Sequence, residues 1–466
     1  MSAAPALHAP PAALRPRTVV ALAVAASVAS LVLQRTPDFD PTAWLIWGRQ
    51  ITDGTLSTLG GPSWKPLPVL FTTPFSLFGD TVAPWLWLVV ARTGGILAVV
   101  AAFRLTARLG GRTAGWLAAA ALVLATDFLY NAFRGDSEGL LVLATLGAVD
   151  LHLQGRRHAA LLAGVAGALI RPELWPALAA YGAWLVWRER RAATAALLAG
   201  AAVLIAVAWF IPEHIGSGDW WRAATRAQNP VPGSPGQSSL PFLVTFVNAS
   251  IALALPVYLG AVRAVVAAWR ARRPDPDGRA RTVLVLAAGA TAYMVIIAAL
   301  AQRGFTGNLR YVTVPAAVLC VLAGLGLPTL WAEGRAALAR RPVLVRVAAA
   351  LCAVSVVFSA VLLVRNGFEL EESGRVYGRQ LPALIERAGG EARLRACGPL
   401  GASHFERQAV ARQLHVRALD VRTGVDPAVR TALARRGTGT ARHGRAPVVL
   451  EFGDWVLRSD CPLPRG

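Results

Sequence analysis

Long apolar runs alternate with short charged stretches through the first 364 residues of this 466-residue chain. The runs fall at 18–34, 82–103, 113–129, 138–152, 159–171, 174–187, 193–211, 241–268, 282–301, 311–331 and 343–364. A helix of about 20 apolar residues crosses roughly 30 Å of hydrocarbon, so the pattern predicts about eleven transmembrane spans. The runs on either side of Arg171-Pro172-Glu173 are short for two crossings, and a re-entrant hairpin is the alternative there. The first run has Arg15 and Arg17 ahead of its apolar core, as a signal sequence does. It lacks a small-residue cleavage site before Asp38 and is read as a retained helix.

Past residue 364 the pattern changes to that of a small water-soluble domain. Periodicity predicts a helix near 373–388, a strand near 393–397, a helix near 404–413 and strands at 448–452 and 455–459. The expected fold is therefore an all-α polytopic membrane protein with a small α/β extracytoplasmic C-terminal domain. Its parts are a cytoplasmic tail (1–17), a transmembrane core (18–364) and the C-terminal domain (365–466). Two outer loops, 35–81 and 212–240, interrupt the core.

Charge fixes the expected orientation. With the N-terminus in the cytoplasm, Arg104/Arg108/Arg112, Arg156/Arg157, Arg188/Arg190/Arg191, Arg270/Arg272/Arg273 and Arg335/Arg340/Arg341 all fall inside, as the positive-inside rule requires. Asp38, Asp40, Asp53, Asp136, Glu138, Glu173, Glu213 and Asp219 then fall outside. A net charge of +21 would suit a nucleic-acid binder, but the arginines sit between apolar runs, and no nucleic-acid partner is expected. The single lysine, Lys65, stands out in a chain whose arginine bias fits a GC-rich genome. Four cysteines make neither a disulfide framework nor a zinc site. Cys397 and Cys461 could pair with each other in an oxidising compartment. The seven histidines have no ligand spacing, so no structural metal is expected.

The first outer loop is rich in chemistry-bearing residues: Pro37-Asp38-Phe39-Asp40-Pro41, Trp44-Leu45-Ile46-Trp47-Gly48-Arg49, and Ser63-Trp64-Lys65-Pro66-Leu67-Pro68. Asp38 and Asp40 leave a span into water beside a low-dielectric wall, a setting that can make a carboxylate a useful base. Asp40 ahead of Pro41 is equally an ordinary helix start. Trp44, Trp47 and Ile51 form an apolar stripe on a short helix expected to lie in the membrane interface as an aromatic anchor. Arg92 falls inside a span and should face the protein interior, in an ion pair or against a ligand. Trp220 and Trp221 open a Pro/Gly-rich segment expected to be a mobile cover over bound substrate, or a linker.

The order of these features resembles the GT-C class of membrane glycosyltransferases. It comprises an acid after the first span, an interfacial helix, Lys65-Pro-Leu-Pro, Phe78-Gly-Asp, Arg92, Asp136-Ser-Glu-Gly, Arg171-Pro-Glu and Asn308-Leu-Arg-Tyr311. The likeness is to the branch holding the lipid A aminoarabinose transferase and the protein O-mannosyltransferases, and covers roughly residues 30–330. The class also includes mannosyl- and arabinosyltransferases. The resemblance implies an inverting enzyme that moves a sugar from a polyprenyl-phosphate donor to an envelope glycan, lipid or protein on the outer face of the cell membrane.

By position, Asp40 matches the class's first-loop acid, with Asp38 as competitor because Asp-Phe-Asp stands where the nearest relatives carry adjacent acids. Lys65 matches a donor-phosphate lysine, the alternative being a snorkelling interfacial lysine. Arg171 and Arg310 are further donor-phosphate candidates. Arg92, Arg134, Asp136, Glu138, Glu173 and Tyr311 are candidates for the substrate cavity. A divalent metal is neither demanded nor excluded by these acids. The rival classes are a transporter or flippase of lipid-linked sugars, which would need paired broken helices at mid-membrane, and a non-catalytic envelope-assembly protein.

Overall fold

A computed structural model describes residues 15–33, 35–230, 233–273, 275–423 and 425–462. Most of the tail expected over 1–17 lies outside the described residues. Helix α1 (Pro16–Ala29) is followed by α2 (Phe39–Thr52) and α3 (Pro66–Ser76), both within the segment 35–81. The core then runs through α4 (Gly79–Gly110), α5 (Arg112–Val123), α6 (Phe128–Arg134), α7 (Glu138–Leu153), α8 (Arg157–Ala168), α9 (Trp175–Glu189) and α10 (Ala192–Ser217). Short α11 (Arg222–Ala227) precedes α12 (Pro241–Ser250), α13 (Leu255–Arg270), α14 (Arg279–Gln302), α15 (Thr313–Leu338) and α16 (Pro342–Arg375).

Among the described residues, five helices are long and apolar enough to cross a membrane, or up to seven spans if each of two bent pairs is one. The run 241–268, expected as one span, is instead α12 and α13, meeting at 100°. Pro256 in the first turn of α13 brings no N–H to continue a ladder from α12, and Ala254 ahead of it is extended (ψ 146°). The run 113–129 is likewise broken, with α5 and α6 meeting at 62°. Helix α8 has 12 residues. At 1.5 Å per residue it reaches roughly 18 Å, short of the roughly 30 Å of hydrocarbon.

The core is held by small residues that let backbones approach. A Cβ at Gly326 on α15 would collide with the Gly260 carbonyl on α13, and one at Gly324 would collide with the Ala114 carbonyl on α5. Such contacts replace the hydrophobic drive that is absent between helices in lipid. Above this core, α2 and α3 form a tight pair. Gly48 admits the α3 backbone at Thr72, and Thr72 Oγ1 donates to Trp44 O at 2.7 Å. Trp44 and Trp47 are fully buried, against Trp87 and Trp64 respectively. The expected role as interfacial anchors is thus corrected: α2 is a structural plug covered on all sides, with Ile51 at its exposed end.

Helix α16 spans 34 residues and carries the chain out of the apolar core into a π-helical turn at Val376–Gln380. The C-terminal domain follows with α17 (Leu381–Arg387), α18 (Glu391–Ala396), β1 (Leu400–Ala402), α19 (Arg407–Gln413), β2 (Val421–Thr423), β3 (Thr431–Arg435), α20 (Gly439–His443), β4 (Val448–Phe452) and β5 (Trp455–Ser459). The sheet order is β2-β1-β3-β5-β4, with β1 parallel to both neighbours and β3-β5-β4 antiparallel. The strand expected at 393–397 is helix α18. It follows Gly389 and Gly390, whose positive φ values re-aim the chain, and its Leu394 docks into the domain core. The last two strands fall where the alternation placed them. Ile46 of α2 is buried within this domain's core, so the domain sits on the helix that carries Asp40.

Candidate active site

Helix α2 begins at Phe39 with Asp38 as its N-cap residue, and Thr42 N donates to Asp38 O at 2.9 Å. Asp40, in the first turn, points into the protein and is 5% exposed. Lys65 ends an extended segment, and Pro66 starts α3 immediately after it. Lys65 is therefore fixed between a loop and a rigid helix start, with its Nζ 3.8 Å from Asp40 Oδ2 and 5.1 Å from the Trp44 ring. Arg310 enters from the turn before α15, placing Nη2 2.8 Å from Asp40 Oδ2 and Nη1 3.5 Å from Asp136 Oδ1.

Arg171 follows α8 in extended conformation, fixed by Pro172. Its Nη2 lies 2.7 Å from Glu138 Oε1 and its Nη1 3.7 Å from Glu173 Oε1. The Arg171 guanidinium also stacks 4.0 Å over the Tyr311 ring. Arg134 pairs with Asp38 and lies over Tyr130.

Burial pushes the Asp40 carboxyl up, but the charges of Arg310, Lys65 and Arg171 outweigh it and hold Asp40 below the usual carboxylate range. Burial and the neighbouring Arg171 lower Lys65 from its ordinary value. Asp136 is pushed up to about 8, first by burial and then by Glu138 and Asp38 beside it. Several buried polar atoms have no hydrogen-bond partner among the described residues: Lys65 Nζ, Arg310 Nε, Arg171 Nε, Asp136 Oδ1, Glu138 Oε2 and Glu173 Oε2. Such orphans are expensive in a finished core. Here they gather around one cavity of about 660 Å³, whose lining includes Asp38, Asp40, Lys65, Arg171 and Arg310. Trp175, Trp209, Phe210, Trp220 and Trp221 give the same cavity an apolar wall. Its dimensions and mixed lining fit an elongated ligand with one anionic end. Among the described residues, no group of three or more His, Cys, Asp or Glu is arranged to hold a metal ion.

The model of glycosyltransferase family 87 matches residues 64–297, half of the chain, from just before Lys65 into α14. The chain belongs to glycosyltransferase family 87. The fold of this family 87 member is similar to that of ArnT from Cupriavidus metallidurans bound to undecaprenyl phosphate (TM-score 0.57, 16% identity, 95% of this chain and 97% of that chain). The apo state of the same ArnT matches equally, with TM-score 0.57 and 17% identity over the same shares. The apo oligosaccharyltransferase of Archaeoglobus fulgidus aligns with 90% of this chain and 69% of that one, at TM-score 0.45 and 12% identity. Comparison with curated proteins found no match. The protein is thus a membrane glycosyltransferase with the GT-C architecture expected from its first outer loop.

In this family 87 transferase, the cavity brings together Asp38, Asp40, Lys65, Arg134, Asp136, Arg171, Glu173, Arg310 and Tyr311. Glu138 lies just beneath, wholly buried against Arg171. Arg92 does not join them. It donates to Phe133 O from Nη2 at 2.9 Å and to Ser30 Oγ from Nη1 at 2.9 Å, tying α4 to α6 and to the end of α1. Cys397 and Cys461, the candidate disulfide pair, lie side by side in the C-terminal domain as free thiols.

Sequence reasoning missed the hub that shapes the Lys65 loop. Glu213 Oε1 accepts from Trp64 N (3.2 Å) and from Arg222 Nη1 (3.2 Å), and Glu213 Oε2 accepts from Thr58 Oγ1 (3.2 Å). Arg222 also donates to Pro62 O and Gly61 O, each at 2.9 Å. Glu213 was placed on the outer face by charge, yet its partners Trp64 and Thr58 are far away in the chain, and no local spacing reveals them. The segment 212–240, expected as a cover or linker, contains α11 and is anchored through this hub.

Proposed function

We propose that this chain transfers a sugar, with inversion, from a polyprenyl-phosphate donor to a hydroxyl of an envelope glycan, lipid or protein on the extracytoplasmic face of the cell membrane. The observation that carries the reading is Lys65 Nζ, a buried cation with no hydrogen-bond partner among the described residues. It lies beside a carboxylate at the polar end of a cavity with an aromatic wall. A lipid phosphate supplies the missing acceptors, and the apolar wall suits a prenyl chain. The ArnT structure of the same fold holds undecaprenyl phosphate, which supports this donor class.

Asp40 is the base and Lys65, Arg310 and Arg171 are the phosphate contacts. The acceptor oxygen forms its bond to the anomeric carbon as the bond from that carbon to the phosphate oxygen breaks, and the hydroxyl proton passes to Asp40. Lys65 and Arg310 face both the base and the leaving group. As charge builds on the phosphate, it draws these cations from Asp40, whose basicity rises just when the proton must move. Asp38 is committed to Arg134 and to the start of α2, so it braces the loop.

Orientation follows from charge, with the N-terminus in the cytoplasm and the cavity and C-terminal domain outside. Exposed Trp187 and Trp269 beside Arg188 and Arg270 fit an inner aromatic belt. Purified protein in nanodiscs, supplied with a panel of radiolabelled undecaprenyl-phospho-sugars and a membrane extract as acceptor source, should transfer label, and Asp40→Asn should not. No transfer from any donor would sink the donor assignment. Labelling of single cysteines placed near 60 and 275 tests orientation separately: accessibility of 275 from outside would reverse it.

A further inference from the structure

A second cavity, of about 740 Å³, lies across the 35–40 segment from the candidate site. Arg35 and Thr36 line the second cavity, whereas Asp38, Phe39 and Asp40 line the first, so a few residues of backbone partition the two. One wall is the outer end of α1, where Val32 and Leu33 are 79% and 73% exposed at the end of an apolar helix. The opposite wall is the π-helical turn at Val376–Gln380, which supplies Gly378 and Arg379. Turns of this width recur at functional sites. This one is fixed by Trp455, whose Nε1 donates to Val376 O at 2.9 Å, and by Gln380, whose Oε1 accepts from Asp454 N at 3.0 Å. A Cβ at Gly378 would collide with Thr36 Oγ1, so the glycine lets the partition pass against the turn.

The charges of this cavity do not cancel internally. Asp80 is already engaged by Arg49 Nη1 (3.2 Å) and His415 Nε2 (2.6 Å). Arg412 donates to the Asp80 carbonyl at 3.0 Å. Arg35 uses Nε on Leu31 O at 3.0 Å and lies 5.3 Å from the Trp85 ring, leaving its two amino groups free of any ion pair among the described residues. Arg379 is exposed and forms no ion pair among them either. Glu371 on the rim is the opposing charge, so the cationic groups are in excess.

We propose that this cavity binds the headgroup of an anionic phospholipid. Its phosphate lies between Arg35 and Arg379, and its acyl chains run down past Leu33 and Val32. Arginine suits a phosphate through its paired donors, and the apolar wall continues into the bilayer where an acyl chain must go. A free phosphate ion would satisfy the same arginines but would leave that wall unused. Occupancy braces the 35–40 partition, and through it Asp40, from the side opposite the donor.

The test uses the full-length protein, delipidated in neutral detergent and titrated with dioleoylphosphatidylglycerol, dioleoylphosphatidylcholine or inorganic phosphate. Lipid retention is read by native mass spectrometry. Wild type should retain phosphatidylglycerol at least tenfold better than phosphatidylcholine, without competition from millimolar inorganic phosphate. Arg35→Gln/Arg379→Gln should retain one phosphatidylglycerol fewer while binding undecaprenyl phosphate within twofold of wild type, which also reports an intact fold. An unchanged lipid count in the double variant would overturn the proposal. So would equal retention of the two lipids, or displacement by inorganic phosphate, which would mark a free-anion site. A parallel loss of undecaprenyl phosphate at an unchanged thermal unfolding temperature would overturn it too, assigning these arginines to the donor; the single variants Arg35→Gln and Arg379→Gln are read the same way should the double variant not fold. Failure of the Lys65 reading would appear only in the undecaprenyl phosphate arm, so the two ideas fail separately.

Discussion

Two arginine–carboxylate clusters, one between the C-terminal ends of α4 and α7 and one at the cavity, are built to opposite specifications. Arg108 on α4 meets Asp150 on α7 at 2.8 Å, and Gln154 donates to the other Asp150 oxygen at 2.6 Å, so the carboxylate is saturated by its own neighbours. At the cavity, Arg310 is shared between Asp40 and Asp136, while Lys65, Arg171, Glu138 and Glu173 each keep a buried polar atom without a hydrogen-bond partner among the described residues. Burial without satisfaction destabilises a fold unless something else completes the set. A closed cluster holds helices together; the open one leaves donors and acceptors gathered around a cavity.

The contrast is sharpest at Asp40. Asp40→Asn keeps the shape and removes the base, so turnover should fall by roughly 10²–10⁴-fold with donor binding retained. A transfer assay alongside undecaprenyl phosphate binding separates the two effects. Lys65→Ala and Arg310→Ala should each lower kcat/KM by roughly 10²–10³-fold, with weaker donor binding, because each removes a cation from the developing phosphate charge. If Lys65→Ala left donor affinity unchanged, Lys65 would be a structural cation like Arg108.

Glu213→Gln should cost less, on the order of tenfold in kcat/KM. It loosens the 58–64 segment that leads into Lys65 without removing any charged group of the cavity, and the loss should fall mainly on KM. Asp136 sets a pH limb. Its raised value of about 8 means that it is neutral at pH 7 and gains charge beside Arg310 and Glu138 as pH rises through 8. Donor KM should therefore climb above pH 8, and Asp136→Asn should flatten the climb. The sign for stability agrees: the folded state holds this proton more tightly than the unfolded chain, so stability falls as pH rises from about 4 to 8. The smallest effect on catalysis is expected from Asp150→Asn. It should lower the thermal unfolding temperature while activity per folded molecule stays within about twofold, as befits a closed cluster.

The membrane character and the fold class were legible because apolar run length and arginine placement report directly on lipid. The positions of the bends were not. Pro256 marks the α12–α13 break, but a proline can also be absorbed in a transmembrane helix by its neighbours. Asp40, Lys65, Arg171 and Arg310 were legible as chemistry through their order along the chain, and the fold brings all four to one cavity. Arg92 was misleading as a substrate-cavity candidate, since the backbone carbonyl of Phe133 and the Ser30 hydroxyl absorb it, and acceptors of that kind leave no mark on a charge pattern. The buried state of Trp44 and Trp47 was hidden for a similar reason. A stripe of tryptophans looks alike whether it meets lipid or a second helix, and only Gly48, which admits α3, hinted at the latter.

The insertion of Ile46 into the C-terminal domain also dictates an order of assembly. Arg49 donates to the carbonyl of Val416, 367 residues further along. During synthesis, α2 therefore emerges early and waits with one face bare until nearly the whole chain has been made and the final hundred residues have folded onto it. Contacts of such long sequence separation form late. The helix that carries Asp40 is thus locked by a part of the chain made 367 residues later, and a chain cut before the C-terminal domain would leave that helix face uncovered.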